Sequence, residues 1–215
     1  MKRRDFSLAC SAVAGTVLVQ SPAWAQARPP QAGTDYNVLD TRAPVEALAG
    51  KIEVVEFFWY SCPHCNVFEP SFAAWVKRAP QDIAVRRVPV AFRDDFVPQQ
   101  RLFYALEAMG LLDQLHARVF AAIHVERQTL ASAGAIADWV AKQGVDKTKF
   151  MDHYNSFSVA TKATRGTQLQ NTYKVEGVPS LGVAGRYYTD GTLAKSLERA
   201  LTVVEFLAVG IRTGR

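Results

Sequence analysis

The chain has 215 residues, 49% hydrophobic and 21% charged, with 13 Gly, 10 Pro and three Cys. These proportions exclude intrinsic disorder, collagen-like repetition and a small disulfide-stapled scaffold, and leave one globular domain with room for an inserted subdomain. Three is an odd count of thiols, which in an exported protein would point to a reactive or intermolecular cysteine.

The N-terminus resolves that count. Met1-Lys2-Arg3-Arg4 is a basic n-region, residues 6–19 form a mostly apolar run, and Ala23-Trp24-Ala25 supplies a small-residue cleavage pattern. Residues 1–25 are therefore expected to be a secretory signal peptide, which carries Cys10 away. Arg3-Arg4 before Asp5-Phe6 is similar to a twin-arginine export signal, although any n-region is basic. Without the signal the chain has 22 basic and 19 acidic residues, a net +3 with no Lys/Arg run, which gives no case for nucleic-acid or lipid binding. No later stretch offers the 18 or so uncharged apolar residues a transmembrane helix needs.

Residues 26–35, with Arg28-Pro29-Pro30 and Gly33, read as a flexible leader outside the packed domain. Residues 51–60 are a nearly continuous β-branched and aromatic run, which predicts a strand covered on both faces. Phe68, Phe72, Trp75 and Val76 recur at helical spacing and predict a helix over 66–78. Residues 83–92 read as a second strand, completing a βαβ unit, with Pro89 set to edge or kink it. From 98 to 173 the period is helical throughout: Leu102, Leu106 and Met109; Leu115, Val119 and Ile123; Ile136, Trp139 and Val140; Phe150, Tyr154 and Phe157 after a capping Asp146; then Leu169 and Tyr173. Strand character returns at 178–184, Gly185-Arg186 turns the chain, Tyr187-Tyr188-Thr189 pairs back, and Leu197, Leu201, Val204 and Leu207 close on an amphipathic helix. The fold class is α/β with an all-helical insertion, divided as 36–97, 98–173 and 174–215.

The two remaining cysteines form Cys62-Pro63-His64-Cys65 where the first strand meets its helix. Zinc needs four ligands, or three and a water, and there is no second Cys pair; His116, His124 and His153 are scattered along helices and read as core or surface residues. Zinc and a plain structural disulfide stay as alternatives to dithiol redox chemistry. The physical case for redox chemistry is positional. A cysteine that opens a helix meets unpaired amides and the positive end of the macrodipole, so its thiolate is favoured. Pro63 suits the first turn because it has no N–H to lose, and His64 adds positive charge beside Cys62, lowering its pKa. Cys65, one turn inside, can act as the resolving thiol. A stabilised thiolate favours the dithiol over the disulfide, which makes a Cys62–Cys65 disulfide an oxidant.

At Glu56-Phe57-Phe58, Cys62-Pro63-His64-Cys65, the helical insertion, Asn155-Ser156-Phe157 and Gly177-Val178-Pro179, the sequence resembles the DsbA-like thiol oxidases of the thioredoxin-like superfamily. The resemblance implies a thioredoxin-like fold with an inserted helical subdomain, periplasmic residence, no cofactor beyond the Cys62–Cys65 disulfide, and reoxidation by a DsbB-like membrane quinone reductase. The substrates implied are exported proteins still carrying free thiols, met by a monomer. It places Pro179 in the cis form opposite the motif, with Val178, Pro179 and Leu181 as substrate-binding residues amid exposed apolar surface. It makes Glu56 a buried acid that relays a proton to Cys65, against an acid escaping to the strand edge. Glu69 matches a family acid equally well as a solvated surface charge. The competing functions are a disulfide reductase or isomerase and a non-catalytic exported binding protein.

Overall fold

The computed structural model of the protein describes residues 28–214, so the signal sequence read over 1–25 lies outside the described residues. The apolar run after Lys51 forms β2 (Ile52–Phe58), all seven residues of which are buried. That total burial follows from its place in the sheet, whose order is β1-β5-β4-β2-β3, with β1 (Asn37–Val38), β3 (Ile83–Pro89), β4 (Ser180–Val183) and β5 (Tyr187–Asp190). β2 runs parallel to β3 and antiparallel to β4, as the predicted βαβ unit and return hairpin require. β3 is an edge strand and Pro89 is its last residue, where a missing amide is tolerated. Val90 still donates to the Phe58 carbonyl at 2.9 Å.

Between β2 and β3 lies α1 (Pro63–Arg78), whose Phe68, Phe72 and Trp75 pack with Val54, Leu201 and Val204 on one face of the sheet. The other face carries Val55, Phe57, Val88, Leu169 and Tyr173. Five helices fill the interval between β3 and β4: α2 (Val97–Ala108), α3 (Leu112–His124), α4 (Ala133–Lys142), α5 (Lys147–Tyr154) and α6 (Phe157–Thr172). A 3₁₀ turn at Asp94–Phe96 leads into them, and α7 (Leu197–Arg212) ends the chain. The insertion has its own core of Leu102, Leu115, Phe120, Trp139 and Phe150, which reaches Phe58, Tyr60 and Cys65. Among the described residues no helix is long and apolar enough to cross a membrane.

Asp146 caps α5 by accepting from the Lys149 amide at 2.9 Å, as its position predicts. The period that joined Phe157 to Phe150 and Tyr154 does not hold. Ser156 accepts from the Val159 amide and starts a new helix, which leaves Phe157 87% exposed. Nor does the described part of the leader stay outside the packed domain. Asp35 is fully buried, pairs with Arg28 at 2.8 Å and Arg199 at 2.9 Å, and its carbonyl accepts from Thr189 Oγ1 at 2.7 Å. These bonds give the Pro- and Gly-containing segment fixed partners that composition does not reveal.

Candidate active site

The site is made where β2 stops. After Phe58 the chain turns through residues 59–61, and the Cys62 amide donates to the Trp59 carbonyl at 3.0 Å. Cys62 is the N-cap of α1, with an extended backbone (φ −80°, ψ 118°), and Pro63 occupies the first turn, so the helix starts at the motif rather than at residue 66. No capping hydrogen bond of ordinary geometry closes this turn. The sulfur of Cys62 takes that place, and the amides of His64 and Cys65 act on it. Cys62 is 8% exposed and Cys65 1%, both as free thiols.

The β4 approach faces this sulfur. Cys62 Sγ lies 3.4 Å from the Val178 carbonyl oxygen, and the Val178–Pro179 peptide bond is cis. His64, Val178, Pro179 and Leu197 line a shallow cleft of about 330 Å³ beside the motif. Leu181, expected on this surface, is not there. It is 1% exposed and packs in the core under α1 and α7, because β4 is buried along its whole length between β2 and β5.

The two thiols are made unequal by their surroundings. A hydrogen bond from the Cys65 thiol, the amides of Cys65 and His64 and the charge of His64 together outweigh desolvation and hold Cys62 at a pKa of about 6. Burial, followed by the neighbouring Cys62 sulfur, pushes Cys65 far above the ordinary thiol range. These surroundings favour the thiolate at Cys62 and the protonated thiol at Cys65.

A buried ionic cluster lies beneath the pair. The parallel register of β2 and β3 sets Arg87 opposite Glu56. The guanidinium then donates through Nε to Glu56 Oε2 at 2.9 Å and through Nη2 to both Glu69 oxygens at 2.7 and 2.9 Å. Glu56 is buried rather than at the strand edge, and Glu69 is buried and paired rather than a solvated surface charge. Desolvation raises Glu56 to about 8 against the opposing pull of Arg87, with Glu69 adding to the rise, and the Glu56 charge is felt at Cys65. His116 completes the cluster from α3. Its Nδ1 is 2.8 Å from the Tyr60 hydroxyl and its Nε2 3.4 Å from Glu69 Oε2, close enough for attraction but without hydrogen-bond geometry. Burial holds His116 below the usual histidine range despite Glu69.

The sequence alone does not mark Arg87, Tyr60 and His116 as site residues, nor Glu53 as a buried charge. Glu53 is a second buried carboxylate of β2, which accepts from the Glu46 amide at 3.2 Å through each oxygen. Charged residues inside apolar strand runs, Glu53 in β2 and Arg86-Arg87 in β3, were the available signal. Among the described residues no group of three or more His, Cys, Asp or Glu could hold a metal ion.

Residues 53–202 match the DSBA-like thioredoxin domain family. The chain is 47% identical over 185 residues to the thiol:disulfide interchange protein DsbA of Burkholderia cepacia, covering 85% of this chain and 87% of that protein. It is 42% identical over 206 residues to the protein of that name from Bordetella parapertussis, covering 95% of each. The crystal structure of Pseudomonas aeruginosa DsbA superposes with a TM-score of 0.82 at 38% identity, over 86% of this chain and 96% of that one. Family match, sequence identity and superposition agree, and the chain belongs to the DsbA-like thioredoxin family as a thiol:disulfide oxidoreductase.

Proposed function

We propose that the protein is an exported oxidase that donates the Cys62–Cys65 disulfide to proteins still carrying free thiols. The observation that carries this reading is the inequality of the two sulfurs, with Cys62 held at about 6 on the helix terminus and Cys65 buried. At pH 7 the depression from an ordinary thiol pKa of about 8.5 counts only below ambient pH, about one unit. It favours the dithiol by about 1.4 kcal/mol, roughly 30 mV for two electrons.

A substrate thiolate attacks Cys62 in the disulfide, forming a mixed disulfide and expelling Cys65 as a thiolate. Cys65 takes up a proton, which Glu56 can supply because burial keeps it protonated to about pH 8. The second substrate thiolate then attacks the first substrate sulfur, forming the substrate disulfide and breaking the bond to Cys62, which leaves as a stabilised thiolate. Two electrons pass from the substrate to the protein, and the substrate gains one disulfide. His64 supports the leaving thiolate, while Pro63 lets the helix begin without a wasted amide. Backbone groups near Val178 and Pro179, beside the sulfur, offer an extended substrate somewhere to pair. Reoxidation would come from a DsbB-like membrane quinone reductase, and the protein would work as a monomer in the periplasm.

The test is the potential of the Cys62–Cys65 couple in glutathione buffers, together with oxidation of a reduced peptide. A potential well above thioredoxin's about −270 mV, with activity abolished in Cys62→Ser, is expected. A thioredoxin-like potential would assign a reductase instead, and a Cys62→Ser protein that keeps its function would assign a binding protein.

A further inference from the structure

The three residues before Cys62 are held largely by the helical insertion and the 3₁₀ turn that leads into it. Trp59 stacks on Phe96 at 4.0 Å and 23°. Ser61 Oγ accepts from Gln99 Nε2 at 2.7 Å, and that amide also donates to the Leu130 carbonyl at 3.1 Å. Tyr60, fully buried between them, is gripped twice by α3: its hydroxyl lies 2.8 Å from His116 Nδ1, and its carbonyl oxygen 2.8 Å from His124 Nε2. The two histidines are eight residues apart, about two helical turns.

The protons in these bonds follow from donor capacity. A carbonyl only accepts, so His124 must carry its hydrogen on Nε2. The Tyr60 hydroxyl has a single partner, so it donates to His116 Nδ1, and the hydrogen of His116 sits on Nε2 facing Glu69. His116 is thereby fixed as one neutral tautomer, since a second proton on Nδ1 would leave the Tyr60 hydrogen without an acceptor in a sealed site.

We propose that His124 and His116 are positioning residues for the nucleophile, acting through the main chain of the 59–61 turn. This rests on thiol:disulfide exchange at Cys62. The link from the turn to the motif is direct: the Trp59 carbonyl accepts the Cys62 amide at 3.0 Å, and the Trp59 backbone acts to favour the Cys65 thiolate against its burial. Rotation of the Tyr60 peptide units therefore shifts Cys62 against the first turn of α1 and weakens that effect on Cys65. The insertion, which contributes no sulfur chemistry of its own, sets the geometry of the thiolate immediately beyond its grip.

The experiment compares His124→Ala, His124→Gln and Gln99→Leu with the natural protein in the reduced state, reading the Cys62 thiolate absorbance against pH and the glutathione equilibrium. His124→Ala is expected to raise the Cys62 midpoint by at least half a unit and make the disulfide at least about threefold less oxidising. His124→Gln, which keeps a donor, should restore most of both. Gln99→Leu, which frees Ser61, should move them in the same direction as His124→Ala and gives the reading if that variant does not fold. Midpoint and equilibrium unchanged in whichever of these variants folds would overturn the proposal, even where thermal stability falls. Natural protein that fails to oxidise a reduced peptide would sink the exchange reading itself, which is a separate failure.

Discussion

Arg87 is the only cation that touches the two buried carboxylates under the motif among the described residues, and Arg87→Met isolates its contribution. Methionine keeps an apolar stem against the Phe72 ring, over which the guanidinium now lies at 5.2 Å, so the loss is chiefly one of charge. Below about pH 8 Glu56 holds a proton, which leaves a single carboxylate charge for Arg87 to balance. Without the guanidinium that charge is buried and unpaired, a situation that typically costs about 3–5 kcal/mol. The cost has a ceiling, because the carboxylate can instead take a proton. Moving one proton onto an acid with an ordinary pKa of about 4.3 at pH 7 costs about 3.7 kcal/mol, and at pH 5 only about 1 kcal/mol. The sign follows from proton counting: the folded variant holds a proton the unfolded chain has lost, so its deficit grows as pH rises from about 4.3 and vanishes below it. Urea unfolding of the oxidised protein at pH 5, 6 and 7 should show a deficit rising from about 1 to about 3–4 kcal/mol, a fall in Tm of about 7–15 °C at pH 7. A deficit independent of pH, or one below about 1 kcal/mol at pH 7, would refute the assignment of Arg87 as the neutralising charge.

Other consequences can be measured separately. Glu56→Gln removes the group that titrates near 8, so the pH profile of peptide oxidation in stopped-flow fluorescence should lose its inflection there; an unchanged profile would assign the proton relay elsewhere. The potential of the couple should fall by about 60 mV per pH unit below pH 6 and about 30 mV above it, because Cys62 no longer takes up a proton there; a uniform steep slope to pH 8 would contradict a depressed Cys62. Gly182 is needed in β4 because a methyl there would sit 2.6 Å from Tyr173 Cζ, so Gly182→Ala should cost about 1–3 kcal/mol in urea unfolding. An unchanged midpoint would mean that the Tyr173 ring swings aside freely.

What was legible in the sequence is what local rules control. The order of strands and helices followed from periodicity, and the motif's place between β2 and α1 from the abrupt end of the apolar run. Glu56 stood out because a carboxylate in such a run must be answered by something buried. Its partner could not be read, because Arg87 meets Glu56 only through the register of a parallel pair, which nothing adjacent in sequence encodes. The same holds for His116 and His124, which reach Tyr60 from α3 across more than 50 positions. Leu181 was misplaced because a fully buried strand has no solvent face for alternation to mark. Phe157 was misplaced because Ser156 breaks a helix whose apolar spacing runs on across the break.

Everything proposed for the motif depends on one sulfur of the pair being a stabilised thiolate while the other is not. Titration of the reduced protein from pH 4 to 9, following thiolate absorbance with Cys62 alkylation rates in parallel, tests it directly. A single thiolate should appear with a midpoint of about 6, track the alkylation rate, and be joined by no second thiolate up to pH 9. Two thiols ionising together near their ordinary value of about 8.5 would contradict the account.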